Sequence, residues 1–314
     1  MTTIMIVEDE VQILKSLTSM LKYQKYKVRP FAEGRKAVEA FRHENTPLVI
    51  TDLYLADMSG HDLITQIKDI NSSTEVVVIT GQGTVDDASK AITKGAYSFI
   101  TKPFRMESFL LNIKKALNHR LLVLENQRYQ ERSINVLKAM ITTLEHRDTY
   151  TAGHSRRVTE IAVSIAEKMD MEPCDIKRVR HAATVHDIGK VGVPDAILRK
   201  PGPLTDEEYE VVKLHPEKGR SIIEPLGFLK QALPCILHHH ERFDGSGYPT
   251  GLSGYEIPLG SRIIAVADTV DAITSSRAYR DARAMDRALD ELKKFSKIQF
   301  DPEIVEVFVS LQDE

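Results

Sequence analysis

The sequence predicts a doubly wound α/β domain followed by an all-α domain, with a long helix between them. Three observations predict it. Short, β-branched apolar runs alternate with helical stretches over residues 1–120. Neither glycine nor proline occurs from Asn118 to Leu144. From Glu145 onward the strand-like alternation stops and apolar residues recur at helical spacing.

The strand runs are Thr3 to Val7, Leu48 to Thr51, Glu75 to Thr80 and Ser98 to Thr101. Their continuous apolar character is that of parallel strands buried on both faces. Helical patterns at Val11 to Leu21 and Arg105 to Leu117 supply crossovers of the kind a parallel sheet needs. In the next segment Leu117, Leu121 and Leu124 form one apolar stripe, and Ile134, Leu137, Ile141 and Leu144 form another. Two readings stand: a solvated linker helix, or a coiled coil joining two copies of the chain. Beyond it, Val158, Ile161, Ile165 and Met169 mark an amphipathic helix. The predicted domains are therefore 1–120, a linker helix over 121–144, and 145–314.

Composition narrows the class. The chain has 314 residues, 42% hydrophobic and 28% charged, with a net charge of −3. That length favours two cores over one. The charge provides no basic field for DNA or an anionic membrane. Two cysteines, Cys174 and Cys235, cannot build a disulfide framework. The acidic start MTTIMIVEDE does not read as a signal peptide, and no apolar run is long enough to span a bilayer. The expected location is cytoplasmic.

Charged residues gather at the predicted strand ends. Glu8 and Asp9 close the first strand, Asp52 follows Val49-Ile50-Thr51, Thr80 closes the fourth strand, and Lys102-Pro103 follows the fifth. Ligands of doubly wound sheets bind at the carboxyl ends of the strands, where the strand order reverses. Carboxylates converging there suit Mg²⁺, and an Asp can accept a phosphoryl group as an aspartyl phosphate. The arrangement resembles the flavodoxin-like receiver domain of response regulators. The resemblance implies Asp52 as phosphoacceptor, Glu8, Asp9 and Asp52 around Mg²⁺, Thr80 and Phe99 as switch residues, Lys102 against the phosphoryl oxygens, and a sensor histidine kinase as phosphodonor. Ala56 stands where many receivers have proline.

The second half concentrates imidazoles and carboxylates. His186-Asp187-Ile188-Gly189-Lys190 follows a helical pattern, with Gly189 expected as the helix stop. A His–Asp pair alone is often structural. Here His154 lies on the Val158 stripe, His215 on the Val211/Leu214 helix, and His239 and His240 inside HHHERFDGSGYPTG. Asp268 ends the apolar run Ile263 to Ala267 and is expected to be buried, where it needs a cation. Mixed imidazole and carboxylate ligands suit Fe, Mn, Zn or Ni. Two ions sharing Asp187 would clamp a displacement at phosphorus.

These motifs, with Asp244-Gly245 and Gly247-Tyr248-Pro249, resemble the HD-GYP subgroup of the HD phosphohydrolases over about residues 140 to 312. The resemblance implies ligation by His154, His186, Asp187, His215, His239, His240 and Asp268, with His238 outside the set. It implies Fe or Mn as the metal before Zn or Ni. Lys190 would stand near the scissile phosphate, and Arg277 and Arg280 would hold substrate phosphates unless they form a solvated basic face. Tyr150 replaces the Glu with which some members hold a third ion, which points to two. Tyr248 offers a ring to a purine or to a partner protein.

The implied function is phosphorylation-controlled hydrolysis of cyclic di-GMP to pGpG or GMP by a hydroxide held between two metals, in a homodimer. Two alternatives stand beside it. One is the same chemistry on another cyclic dinucleotide such as cyclic GMP-AMP. The other is a weakly catalytic interaction module acting through the loop around Tyr248.

Overall fold

The computed structural model describes residues 1–81, 84–147, 153–275 and 282–312. The chain divides into two compact units, Met1–Gln130 and Glu131–Glu314.

The first unit runs β1 (Thr3–Val7), α1 (Val11–Tyr23), β2 (Lys27–Phe31), α2 (Gly34–His43), β3 (Leu48–Thr51), α3 (Gly60–Ile70), β4 (Glu75–Thr80), α4 (Val85–Thr93), β5 (Ser98–Thr101) and α5 (Met106–Arg147). Its sheet is parallel, in the order β2-β1-β3-β4-β5. Strands β3 and β4 are buried along their whole length, as their unbroken apolar runs require. The second strand carried no such run. It is an edge strand, KVRPF, with no fully buried residue, and it tolerates Pro30 for that reason. One face of the sheet packs Met5, Val49 and Val78 with Phe41, Leu63 and Ile67. The other packs Ile6, Ile50 and Ile79 with Leu17, Leu21, Phe109 and Ile113.

Helix α5 is 42 residues long and crosses from the first unit into the second. Its apolar stripes are used unequally by the chain, and Leu121 of the first is exposed. Leu117 packs against the sheet core. Leu137 and Ile141 belong to the core of the helical unit, Ile134 packs against that core, and Leu144 is buried. The second stripe is thus covered from within the chain.

The helical unit continues with α6 (His154–Lys168), α7 (Pro173–Val185), α8 (Asp195–Leu198), α9 (Asp206–Lys213), α10 (His215–Ile223), α11 (Leu233–Leu237), α12 (Leu259–Thr274), α13 (Ala282–Lys294) and α14 (Pro302–Ser310). Proline opens α7 and α14, where a missing N–H costs nothing. On α12, Ile263 and Ile264 are fully buried, worth about 1.5–3 kcal/mol each. Val158 and Ile165 of α6 and Val179 of α7 pack in the same core.

Gly189 serves a purpose other than the expected helix stop. Helix α7 ends at Val185, and Gly189 lies in a 3-10 turn, Ile188–Gly192. A Cβ on Gly189 would stand 1.9 Å from His215 O and 2.5 Å from Gly219 N. Only glycine lets this turn approach α10 so closely, and the approach carries His186 and Asp187 towards His215.

Candidate metal centre and phosphoacceptor crevice

In the first unit β1 and β3 are neighbours, so the residues after them meet. Lys102 Nζ lies 2.8 Å from Glu8 Oε2 and 2.7 Å from Asp52 Oδ2. Burial raises the Glu8 pKa against the opposing pull of Lys102. Burial also works to lower that of Lys102, but its bonds to Asp52 and Glu8 hold it above the usual lysine value. The second Asp52 oxygen, Oδ1, accepts the Tyr54 N–H at 3.1 Å. Thr80 is buried at the end of β4, and its hydroxyl makes no hydrogen bond among the described residues. Phe99, in β5, is partly buried against the Met5 face of the sheet. Asp9 lines an open cleft of about 610 Å³ with Tyr54, Asp57, His61 and Asp87.

The helical unit sets its imidazoles at helix ends. His154 begins α6, His186 follows α7, His215 begins α10, and His239 and His240 follow α11. Three of the rings are locked in the same way. Nδ1 of His186 bonds Ala183 O at 2.8 Å, Nδ1 of His215 bonds Val212 O at 2.8 Å, and Nδ1 of His239 bonds Ile236 O at 2.7 Å. A carbonyl only accepts, so each Nδ1 carries a proton and Nε2 is the atom each ring turns to the site. Burial lowers the His215 and His239 pKa values, and burial beside His215 brings that of His240 to about 3.

This leaves atoms in need of a cation. Nε2 of His215 and Nε2 of His239 face each other at 3.2 Å, and neither has a proton to donate. Nε2 of His186 is buried without a hydrogen-bond partner among the described residues. Unpaired acceptors in such a place are costly. Asp187 lies between the rings. Its Oδ1 is 3.3 Å from His215 Nε2, and its Oδ2 is 3.5 Å from His186 Nε2 and 3.9 Å from His154 Nε2. Two groups can each hold a metal ion: Asp187, His215, His239 and His240, and His154, His186 and Asp187. Asp187 belongs to both. Burial would raise its pKa, but Lys190, 2.6 Å from Oδ2, and the surrounding imidazoles hold it well below the ordinary range. The donor set fits divalent ions of the Fe, Mn, Zn or Ni type.

His154 is held by carboxylates instead of a carbonyl. Its Nδ1 lies 2.7 Å from Asp271 Oδ2, and its Nε2 lies 3.2 Å from Asp268 Oδ1. Burial opposes the charged ring, yet these two partners bring its pKa up to about 10. Arg157 in turn grips both Asp271 oxygens. Asp268 is partly buried, with 27% of its side chain exposed. It faces His154 at the site and lies outside the apolar face of α12.

The run HHHERFDGSGYPTG separates into distinct tasks. His238 Nδ1 lies 3.2 Å from Thr250 Oγ1 and 3.4 Å from Glu241 Oε1. Buried Glu241 accepts the Thr250 N–H and hydroxyl and the Gly251 N–H, and so ties the loop back on itself. A Cβ on Gly247 would stand 2.3 Å from Arg242 N, so glycine is required where the loop folds onto its own start. The Tyr248 ring stacks on His240 with centroids 4.9 Å apart, so one face of Tyr248 is already used.

Sequence reasoning missed Asp271, Glu241 and Glu145. Asp271 stands one helical turn after Asp268 on α12, and Glu241 directly follows the histidine run. Those positions are the only signals the sequence carries for them. Arg277, Arg280 and Tyr150 lie outside the described residues.

Comparison with known proteins agrees with this geometry. The response regulator receiver domain family matches residues 4–114, and the HD domain family matches residues 138–304, more than half of the chain. A cyclic di-GMP phosphodiesterase of Thermotoga maritima is 35% identical over 99% of this chain and 91% of its own length. The cyclic di-GMP phosphodiesterase response regulator RpfG of Xanthomonas campestris pv. campestris is 31% identical over 98% of this chain and 86% of its own. A 3'3'-cGAMP-specific phosphodiesterase of Vibrio cholerae is 39% identical over 54% of this chain and 36% of its own. A receiver sheet joined to such a His/Asp site defines a signalling output protein with a hydrolase effector, for which a kinase is the implied phosphodonor. The chain belongs to the response regulators that join a receiver domain to an HD domain of the HD-GYP type. Among the described residues no helix is long and apolar enough to cross a membrane.

Proposed function

We propose that this protein hydrolyses cyclic di-GMP to pGpG and onward to GMP, under control of phosphorylation at Asp52. The observation that carries the reading is the pair of His/Asp groups sharing Asp187, with bare imidazole nitrogens turned towards one another. In this reading His215, His239 and His240 take one divalent ion, His154, His186 and Asp268 take the other, and Asp187 takes both. Such a pair of ions, Fe or Mn foremost, supplies a nucleophile at neutral pH and a clamp for the phosphodiester. The carbonyl-locked rings keep their Nε2 atoms in place without reorganisation. Lys190 brings an ammonium group to the charge that develops on phosphorus-bound oxygen. Tyr248 braces His240 from behind the site. In the receiver, Glu8, Asp9 and Asp52 take Mg²⁺, and Lys102 moves from the carboxylates to the phosphoryl group.

The reading is tested on protein purified with Fe or Mn. Turnover of cyclic di-GMP is expected, and no cleavage of any cyclic dinucleotide would overturn it. Beryllofluoride is expected to change activity or oligomeric state in the native protein and to do nothing in Asp52→Ala. A second substrate reading follows from the Vibrio cholerae relative named for cyclic GMP-AMP. Comparing kcat/KM for the two dinucleotides decides between them.

A further inference from the structure

Helix α6 has no side-chain cap of its own, and its N-cap is Gly153 in the left-handed conformation. The first amides of a helix need acceptors. Here they find one on another helix: the buried carboxylate of Glu145, near the end of α5. Its Oε2 accepts the Gly153 N–H at 2.8 Å, and its Oε1 accepts the Ser155 N–H at 2.8 Å. His154 is the residue between those two amides. A charged acceptor here is also favoured by the helix dipole.

We infer that Glu145 is a positioning residue for His154, tying half of the metal centre to α5. The inference rests on reading His154 as a ligand. The contrast with the other rings supports it. His186, His215 and His239 are each oriented by a carbonyl three residues earlier in the chain. His154 is oriented entirely from elsewhere: its backbone by Glu145 on α5, and its ring by Asp268 and Asp271 on α12. Glu145, Leu144 and Ile141 also line a small cavity of about 10 Å³ with His154, Asp187 and Lys190. The same helix buries Phe109, Ile113 and Ala116 in the receiver core. Helix α5 therefore runs without a break from the receiver core to the carboxylate that binds the amides on either side of His154.

Manganese(II) titration of the full-length protein, without substrate, tests the inference. The wild type should take up two ions, and His154→Ala identifies which ion depends on that ring. Glu145→Gln keeps the shape but turns an amide NH₂ towards one of the two N–H groups. It is expected to weaken the His154-dependent ion by about tenfold or more and leave the other at wild-type affinity. Unchanged binding of both ions, or equal weakening of both, overturns the inference while leaving the proposed hydrolysis intact. A wild type that takes up no ion overturns the proposed function, and this inference falls with it. Should Glu145→Gln fail to fold, Glu145→Asp is read in the same titration against the same outcomes.

Discussion

The two sites of this protein solve one electrostatic problem in opposite ways. Each gathers buried carboxylates beside a lysine. In the receiver, Lys102 spans Glu8 and Asp52 and offsets part of their charge. In the helical unit, Lys190 bonds Asp187, and the His215 and His239 imidazoles turn bare nitrogens towards each other. The receiver crevice holds a cation of its own, whereas the helical site leaves His186 Nε2 without a hydrogen-bond partner among the described residues. Under the proposed function these are the contrasting needs of a switch and a catalytic centre.

The largest effect that would break this contrast is at Asp187. Asp187→Ala is expected to lower hydrolysis by about a thousandfold or more and to cost binding of both ions, measured by turnover and metal analysis. An effect on one ion alone would show that the two groups do not share it. Next comes metal removal. Saturating Mn²⁺ at about a hundredfold excess over its Kd should stabilise the helical unit by about 2.7 kcal/mol for each ion bound, and chelation should reverse this in a thermal melt. The receiver should respond less, because Lys102 already bonds two of its carboxylates. Lys102→Met should reverse that order. It exposes Glu8 and Asp52 to each other, destabilises the receiver by about 1–3 kcal/mol, and makes its stability depend on Mg²⁺.

Smaller effects test the loop after the histidines. Glu241→Gln removes acceptors that close the loop and should cost about 1–3 kcal/mol, read by denaturant melts and by a rise in KM. Tyr248→Ala loses the stacking on His240 and should weaken the ion on that side by about 0.5–1.5 kcal/mol. Tyr248→Phe keeps the ring and should bind metal as the wild type does.

The parts of this design that were legible in the sequence share a physical cause. Apolar runs mark strands, so β1, β3, β4 and β5 could be located, whereas the edge strand β2, with Pro30 and no fully buried residue, could not. The histidines could be picked out through the motifs that carry the family resemblance, although the sequence places His215 on the Val211/Leu214 helix and it begins α10, just past the end of α9. Asp271, Glu145 and Glu241 could not, because carboxylates are common on helix surfaces and only the tertiary fold shows which amide or ring each one meets. Gly189 was noticed for the wrong reason. A glycine after a helix reads as a stop, and nothing local reveals that the backbone of α10 occupies the space of its Cβ.

The carbonyl locks on His186, His215 and His239 have an evolutionary consequence. Ala183, Val212 and Ile236 orient those rings through an atom that every amino acid possesses. Mutation can change their side chains, within the volume the core allows, without turning a ring. His154 has no such insurance, because its orientation is written in the side chains of Glu145, Asp268 and Asp271. Drift among descendants should therefore silence this centre through the His154 corner first, leaving an otherwise well-formed domain free to be recruited for binding alone.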